Sequence, residues 1–158
     1  TIKDKLAHYE PKPLGEKGRY AVLLPLIYDV KTGKYQVPLP SANEHISQPG
    51  EISFPGGRVE EADFLRAAIR ETCEELNLVP NQIDIWGEIG YLIHQGRTIH
   101  CFVGKIKIEN WEYIHPNEEV YRLFTVEVDT LLTKEPIYYT VTSTLSEAKD
   151  FPFFLVKK

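Results

Sequence analysis

Residues 20–28, Tyr-Ala-Val-Leu-Leu-Pro-Leu-Ile-Tyr, form a near-continuous apolar run of strand length, and the run predicts a buried strand. Residues 29–34, with Gly33 near their end, predict a hairpin turn, and residues 35–37 its return strand. The preceding residues 1–19 are polar and broken by Pro11, Pro13, Gly15 and Gly18, which allows a short helical start followed by a loop. From residue 38 to 50 the periodicity disappears and three prolines enter, so this stretch is expected to be a surface loop. Residues 51–54 then predict a brief strand ending at Pro55-Gly56-Gly57. The strongest pattern follows: Leu65, Ala68, Ile69, Thr72, Cys73 and Leu76 recur at helical spacing, and at ~100° per residue they fall on one side of a helix. Asn77 and Pro80 end it. Beyond lie strand-like runs at 83–93 and 98–108, a polar turn over 109–119, a strand leading into a short helix over 120–132, and a further strand at 137–142. Mostly strands with one dominant helix, and no repeat or linker, predict a single α+β or mixed α/β domain.

Composition narrows the class. With 42% hydrophobic and 26% charged residues, the 158-residue chain has the make-up of a globular domain, which excludes disordered and fibrous classes. No apolar run approaches the ~18 residues of a membrane span, and residues 1–5 lack the apolar segment of a signal peptide. Two cysteines, Cys73 and Cys101, show no metal-ligand spacing and point to a reducing compartment, so the expectation is a cytoplasmic protein without a membrane partner. A net charge of −5 with no basic block argues against nucleic acid as a partner. It also means that an anionic substrate needs cations or a local basic patch to be held.

The candidate chemistry sits on the predicted helix. Glu71, Glu74 and Glu75 occupy i, i+3 and i+4 positions off the apolar side, crowding three carboxylates onto one stripe, with Arg70 as a partial counter-charge. Glutamates on a helix ordinarily form a solvated face. Here, however, Phe54-Pro-Gly-Gly57 closes a strand just before the helix, and paired glycines permit close approach of backbone to a ligand. Clustered oxygen donors of this kind suit Mg²⁺, with waters and substrate phosphates completing the shell.

The stretch Gly57-Arg-Val-Glu-Glu-Ala-Asp63 followed by Arg70-Glu71-Thr-Cys-Glu74-Glu75-Leu-Asn77-Leu78 resembles the signature of the Nudix hydrolases. Residues 50–57, Gly-Glu-Ile-Ser-Phe-Pro-Gly-Gly, resemble the coenzyme A pyrophosphatase branch of that family, as do Asn117-Glu-Glu-Val120, Phe124 and the 150–153 segment. The resemblance implies a single Nudix domain over residues 1–158 with its box at about 56–78. It implies an α/β/α sandwich with a mixed sheet, and a small nucleotide substrate with room for a homodimer. The implied activity is hydrolysis of a nucleoside diphosphate linked to another moiety: coenzyme A or a derivative, with ADP-ribose, a nucleoside triphosphate or a non-catalytic binding module as alternatives. It further implies that Glu71, Glu74 and Glu75 bind Mg²⁺ or Mn²⁺, that a backbone carbonyl near Gly56 or Gly57 adds a ligand, and that Arg70 orients a glutamate. The base is then a box glutamate such as Glu74 or Glu75, or Glu118 or Glu119 on the later loop, and Gly56, Gly57 and Arg58 contact substrate. Between Gly57 and Arg70 the chain is one residue shorter than the family pattern, so the first acidic position falls on Ala62 or Asp63. Asn77 stands for the usual glycine, Thr72 for an aliphatic residue and Glu60 for an aspartate, while Pro40-Ser41 and Ile46 replace arginine-bearing positions of the coenzyme A branch. His94, His100, Arg97 and Lys105 are expected to be solvated or hydrogen-bonded. Trp86, Trp111, Tyr138 and Tyr139 either stack on adenine or pack in the core, the latter being the usual fate of such residues.

Overall fold

A computed structural model describes residues 1–11, 14–43, 50–60 and 63–144. Ile46, Ala62 and the 150–153 segment lie outside the described residues. The elements are α1 (Ile2–Ala7), β1 (Gly18–Asp29), β2 (Lys34–Ala42), β3 (Gly56–Arg58), α2 (Phe64–Leu76), β4 (Ile83–His94), β5 (Arg97–Ile106), β6 (Val120–Glu127) and α3 (Val128–Thr133). The sheet runs β4-β5-β1-β2-β6, with β3 pairing onto β1. β1 and β5 are parallel and the other pairings antiparallel, which makes the expected mixed sheet.

The apolar side of α2 determines where the helix lies. Ala68, Thr72 and Leu76 are fully buried, and Phe64, Leu65, Ile69 and Cys73 pack at the margin. The first half of the helix meets Ala21 and Leu23 of β1, Val59, and Phe102 of β5; the second half meets Ile27, Ile106 and Ile114. Thr72 fits this interior because its hydroxyl donates to the Ala68 carbonyl at 2.7 Å, leaving its methyl group to face the core. Asp63 caps the amino end by accepting from the Arg66 N–H at 3.0 Å. Asn77 terminates the helix in the left-handed conformation, φ 50° and ψ 49°, as its place in the sequence predicts. Its side-chain amide donates to the His115 carbonyl at 2.6 Å and ties α2 to the loop that precedes β6.

Three sequence expectations are corrected. Residues 38–42 are not loop but the second half of β2, with Pro38 and Pro40 opposite Thr125 and Leu123 of β6. β2 pairs with β1 only through residues 34–36, so beyond that point half of its N–H groups face no strand of the sheet, and prolines are tolerated as they are on an edge. The short strand expected at 51–54 is reduced to one bridge between Ile52 and Ser41, and the glycines taken as its end are themselves β3. Residues 137–142 form no strand: Ile137, Tyr138, Tyr139 and Val141 are exposed and no described strand pairs with them, so Tyr138 and Tyr139 are not core.

Replacing Asn77 with Ala removes both the left-handed preference and the bond to His115, and is expected to destabilise the fold by about 1–2 kcal/mol in chemical denaturation. Asn77→Gly keeps the conformation and should cost less than Asn77→Ala. Equal losses would contradict the capping account.

Candidate active site

The acidic side of α2 lies against β3 because the glycines allow it. A side chain at Gly57 would place Cβ 2.6 Å from the Glu71 carboxyl carbon, and one at Gly56 would collide with the Ala21 carbonyl oxygen and lie 2.6 Å from the Val22 Cα. Only a strand without Cβ atoms sits simultaneously against the backbone of β1 and the carboxylates of α2. The Gly56 N–H donates to Glu75 Oε1 at 3.3 Å. Arg70 spans the next two acids, Nη2 to Glu71 at 2.6 Å and Nη1 to Glu74 at 3.2 Å, and the two carboxylates hold its pKa above the ordinary guanidinium value.

The three glutamates therefore have different surroundings. The Glu71 side chain is 21% exposed and lies under Gly57, whereas that of Glu74 is 57% exposed. Glu74 belongs to a hollow on the outer side of α2, with Leu65, Ile69, Cys73 and Pro80. Glu75 is partly buried, and loss of hydration pushes its pKa up to about 7. The charges of Glu71, Glu119 and Glu74 push in the same direction, and only the Gly56 N–H opposes them. Glu119 is brought near by the loop: the Asn117 N–H donates to the Glu75 carbonyl at 2.9 Å, the Glu119 N–H to Asn117 Oδ1 at 3.0 Å, and the Asn43 N–H to the Glu119 carbonyl at 3.0 Å.

Beside Glu71 opens a cleft of about 310 Å³ lined by Arg58, Glu60, Asp63, Arg66, Ala67, Arg70 and Glu71. Of the predicted site residues, the cleft brings together Arg58, Arg70 and Glu71. Gly56, Gly57, Glu75 and Glu119 adjoin through the contacts above, and Glu74 is turned outward. Arg66 was not singled out by sequence; its place four residues before Arg70, on the same stripe, is the signal that locates it. The cleft thus sets three guanidinium groups beside three carboxylates, and with Arg70 paired to Glu71 and Glu74 it leaves Arg58 and Arg66 without an ion-pair partner among the described residues.

Among the described residues no three His, Cys, Asp or Glu side chains converge as a closed metal cage. A divalent ion such as Mg²⁺ is commonly held by one or two carboxylates, its remaining positions going to water and phosphate. Glu71 and Glu75, both on the glycine side, are the carboxylates placed to offer such a pair. Cys73 and Cys101 are free, with thiol pKa values raised by burial, so neither is an activated nucleophile.

The NUDIX domain model matches residues 19–143. "Nudix hydrolase 3" of Caenorhabditis elegans is 31% identical over 120 residues, 72% of this chain and 49% of the relative. "Peroxisomal coenzyme A diphosphatase NUDT7" of Mus musculus is 28% identical over 137 residues, 84% of this chain and 56% of the relative. The chain spans about half the length of these curated relatives. Among solved structures, a C. elegans Ap4A hydrolase superposes with TM-score 0.58 at 22% identity, over 72% of this chain and 83% of that one. The NUDIX domain of Shewanella oneidensis NrtR, crystallised with ADP ribose, superposes with TM-score 0.56 at 17% identity, over 84% and 86%. The chain belongs to the Nudix family and carries a NUDIX domain.

Because Glu75 holds a proton in the fold that it gives up when unfolded, raising the pH from about 4.5 to about 7 should lower the stability of metal-free protein. Denaturation in chelator across this window should show a decline that Glu75→Gln abolishes, and Mg²⁺ should stabilise the native protein more at pH 8 than at pH 5. A pH response identical in the variant would remove the assigned cause.

Proposed function

We propose that the protein hydrolyses the diphosphate of a nucleotide-linked substrate in the presence of Mg²⁺ or Mn²⁺, with coenzyme A or a derivative as the favoured substrate. The observation that carries this reading is the pairing of Glu71 and Glu75 with the glycine strand beside a cleft holding three arginines. The coenzyme A preference is supported by the 50–57 segment and by the named activity of the mouse relative.

A diphosphate repels an attacking water through its negative oxygens, so hydrolysis needs positive charge on the phosphates and a base for the water proton. Glu71, Glu75 and a carbonyl of residues 56–57 would hold a divalent ion, which would supply Lewis-acid polarisation of the phosphoryl oxygens. Arg58 and Arg66 hold the remaining phosphate charge. Arg70, kept cationic by Glu71 and Glu74, fixes the Glu71 carboxylate, and Glu74 acts by holding Arg70. Water forms a bond to one phosphorus, the bridging P–O bond breaks towards the departing phosphate, and the water proton passes to a carboxylate. Glu119 suits that task, since its side chain has no ion-pair partner among the described residues while its charge bears on Glu75. From coenzyme A the products are adenosine 3′,5′-bisphosphate and a phosphopantetheine.

Glu71→Gln and Glu75→Gln are each expected to lower kcat/KM at least about a hundredfold, or roughly 2.7 kcal/mol of barrier, with the melting transition retained. Mass spectrometry of reactions with coenzyme A, ADP-ribose and nucleoside triphosphates identifies the substrate. Unchanged turnover in both variants would refute the site. Gly57→Ala should also inactivate, by displacing Glu71.

A further inference from the structure

Glu119 stands on an exposed turn, where a side chain ordinarily samples many orientations, yet the turn is held from two sides. Within the turn the Val120 N–H donates to the Asn117 carbonyl at 3.2 Å and the Glu119 N–H to Asn117 Oδ1 at 3.0 Å, the pattern by which an asparagine sets a turn. The first anchor is the bond from the Asn117 N–H to the Glu75 carbonyl, 2.9 Å, which fixes the start of the turn to the end of α2. The second is Asn43, just past the end of β2. Its N–H donates to the Glu119 carbonyl at 3.0 Å and its side-chain amide to the Glu118 carbonyl at 2.8 Å, so one residue grips two successive carbonyls.

That grip falls where the β2–β6 ladder fails. Pairing is regular from Gln36 opposite Glu127 to Ser41 opposite Arg122, then slips at a bulge, so that Ala42 meets Val120 and Tyr121 is passed over. A bulge disrupts the ladder locally and re-aims the chain. The regular ladder therefore does not reach residues 118 and 119, and Asn43 supplies two bonds that do. The same strand end is fixed on its other edge, where the Ala42 N–H donates to the Glu51 carbonyl at 2.9 Å and the Gly50 N–H to the Ala42 carbonyl at 3.1 Å. The segment so held runs on to Gly56 and Gly57. One strand end thus sets the acidic turn relative to the glycines against which Glu71 and Glu75 lie.

A proton acceptor acts only within hydrogen-bond reach of the water it activates, about 2.6–3.2 Å, and a misplacement of about 1 Å can cost about a hundredfold in rate. A carboxylate on an exposed turn meets that tolerance only if the main chain beneath it is fixed. We propose that Asn43 is a positioning residue, whose grip on the 118–119 main chain holds the Glu119 carboxylate beside Glu75. The inference rests on the reading above, in which Glu119 takes the water proton, and adds the residue that fixes its place. Because Asn43 donates to main-chain carbonyls, these bonds leave the Glu119 carboxylate itself free to accept.

The test is a double-mutant cycle in kcat, run with Mg²⁺ on whichever of coenzyme A, ADP-ribose and nucleoside triphosphates the native protein cleaves. Asn43→Ala should lower kcat about tenfold with KM kept within about twofold. Asn43→Asp, which keeps the shape and the oxygen but not the donor, should lose as much. Glu119→Gln should lower kcat about a hundredfold, and adding Asn43→Ala to it should cost less than about twofold more. Losses that multiply, or a native rate in Asn43→Ala or Asn43→Asp, would overturn the proposal. A native rate in Glu119→Gln removes the base from the reading above, and this inference falls with it. Amide hydrogen exchange of the metal-free protein is a readout independent of turnover: in Asn43→Ala the Glu119 and Val120 amides should exchange about tenfold faster or more, with those of β1 unchanged. Unchanged exchange at Glu119 and Val120, or acceleration throughout the sheet, refutes the local grip. Should the native protein cleave none of these compounds, the hydrolytic reading fails by itself, and exchange decides whether Asn43 holds the turn.

Discussion

The arrangement depends on one steric constraint: a strand with no side chains on two successive residues lies between the backbone of β1 and the carboxylates of α2. Gly56 and Gly57 let Glu71 and Glu75 come within contact of main chain, and in doing so remove part of their water. Loss of hydration would ordinarily drive such groups to neutrality, and Glu75 does move in that direction. The apolar side of α2 therefore holds Glu75 in a position that its own charge disfavours.

The opposite edges of α2 divide the labour. On the glycine side Glu71 and Glu75 face β3. On the outer side Glu74 meets solvent and Arg70, and Arg70 reaches back to Glu71. Arg58 and Arg66 bring positive charge to the cleft of a chain whose net charge is −5.

What the sequence made legible follows from how local each signal is. The period of α2, its end at Asn77 and the acidic stripe depend on residues within a few turns of one another, and they were readable directly. So was the motif linking the glycines to the acids. The course of residues 38–42 was not, because prolines there are acceptable only given that β1 leaves β2 after residue 36, a fact of tertiary pairing. The 137–142 run has strand-like residues yet no described strand beside it, since alternation predicts a capacity for pairing and cannot supply a partner. Likewise the stripe of three glutamates looked uniform on a helical projection, and only the approach of β3 separates Glu71 and Glu75 from Glu74.

The parallel pairing of β1 with β5 has a kinetic consequence. Gly18 meets Arg97 across a connection that contains β2, β3, α2 and β4, so both glycines and all three box glutamates lie inside one long loop. Closing such a loop costs chain entropy before its contacts reward it, and topologies of this kind assemble slowly. A nascent chain still short of β5 cannot seat α2 against a completed sheet, because Phe102 and Ile106 of that strand form part of the helix's apolar bed. The acidic side of α2 consequently reaches its place against β3 late, when the central seam zips.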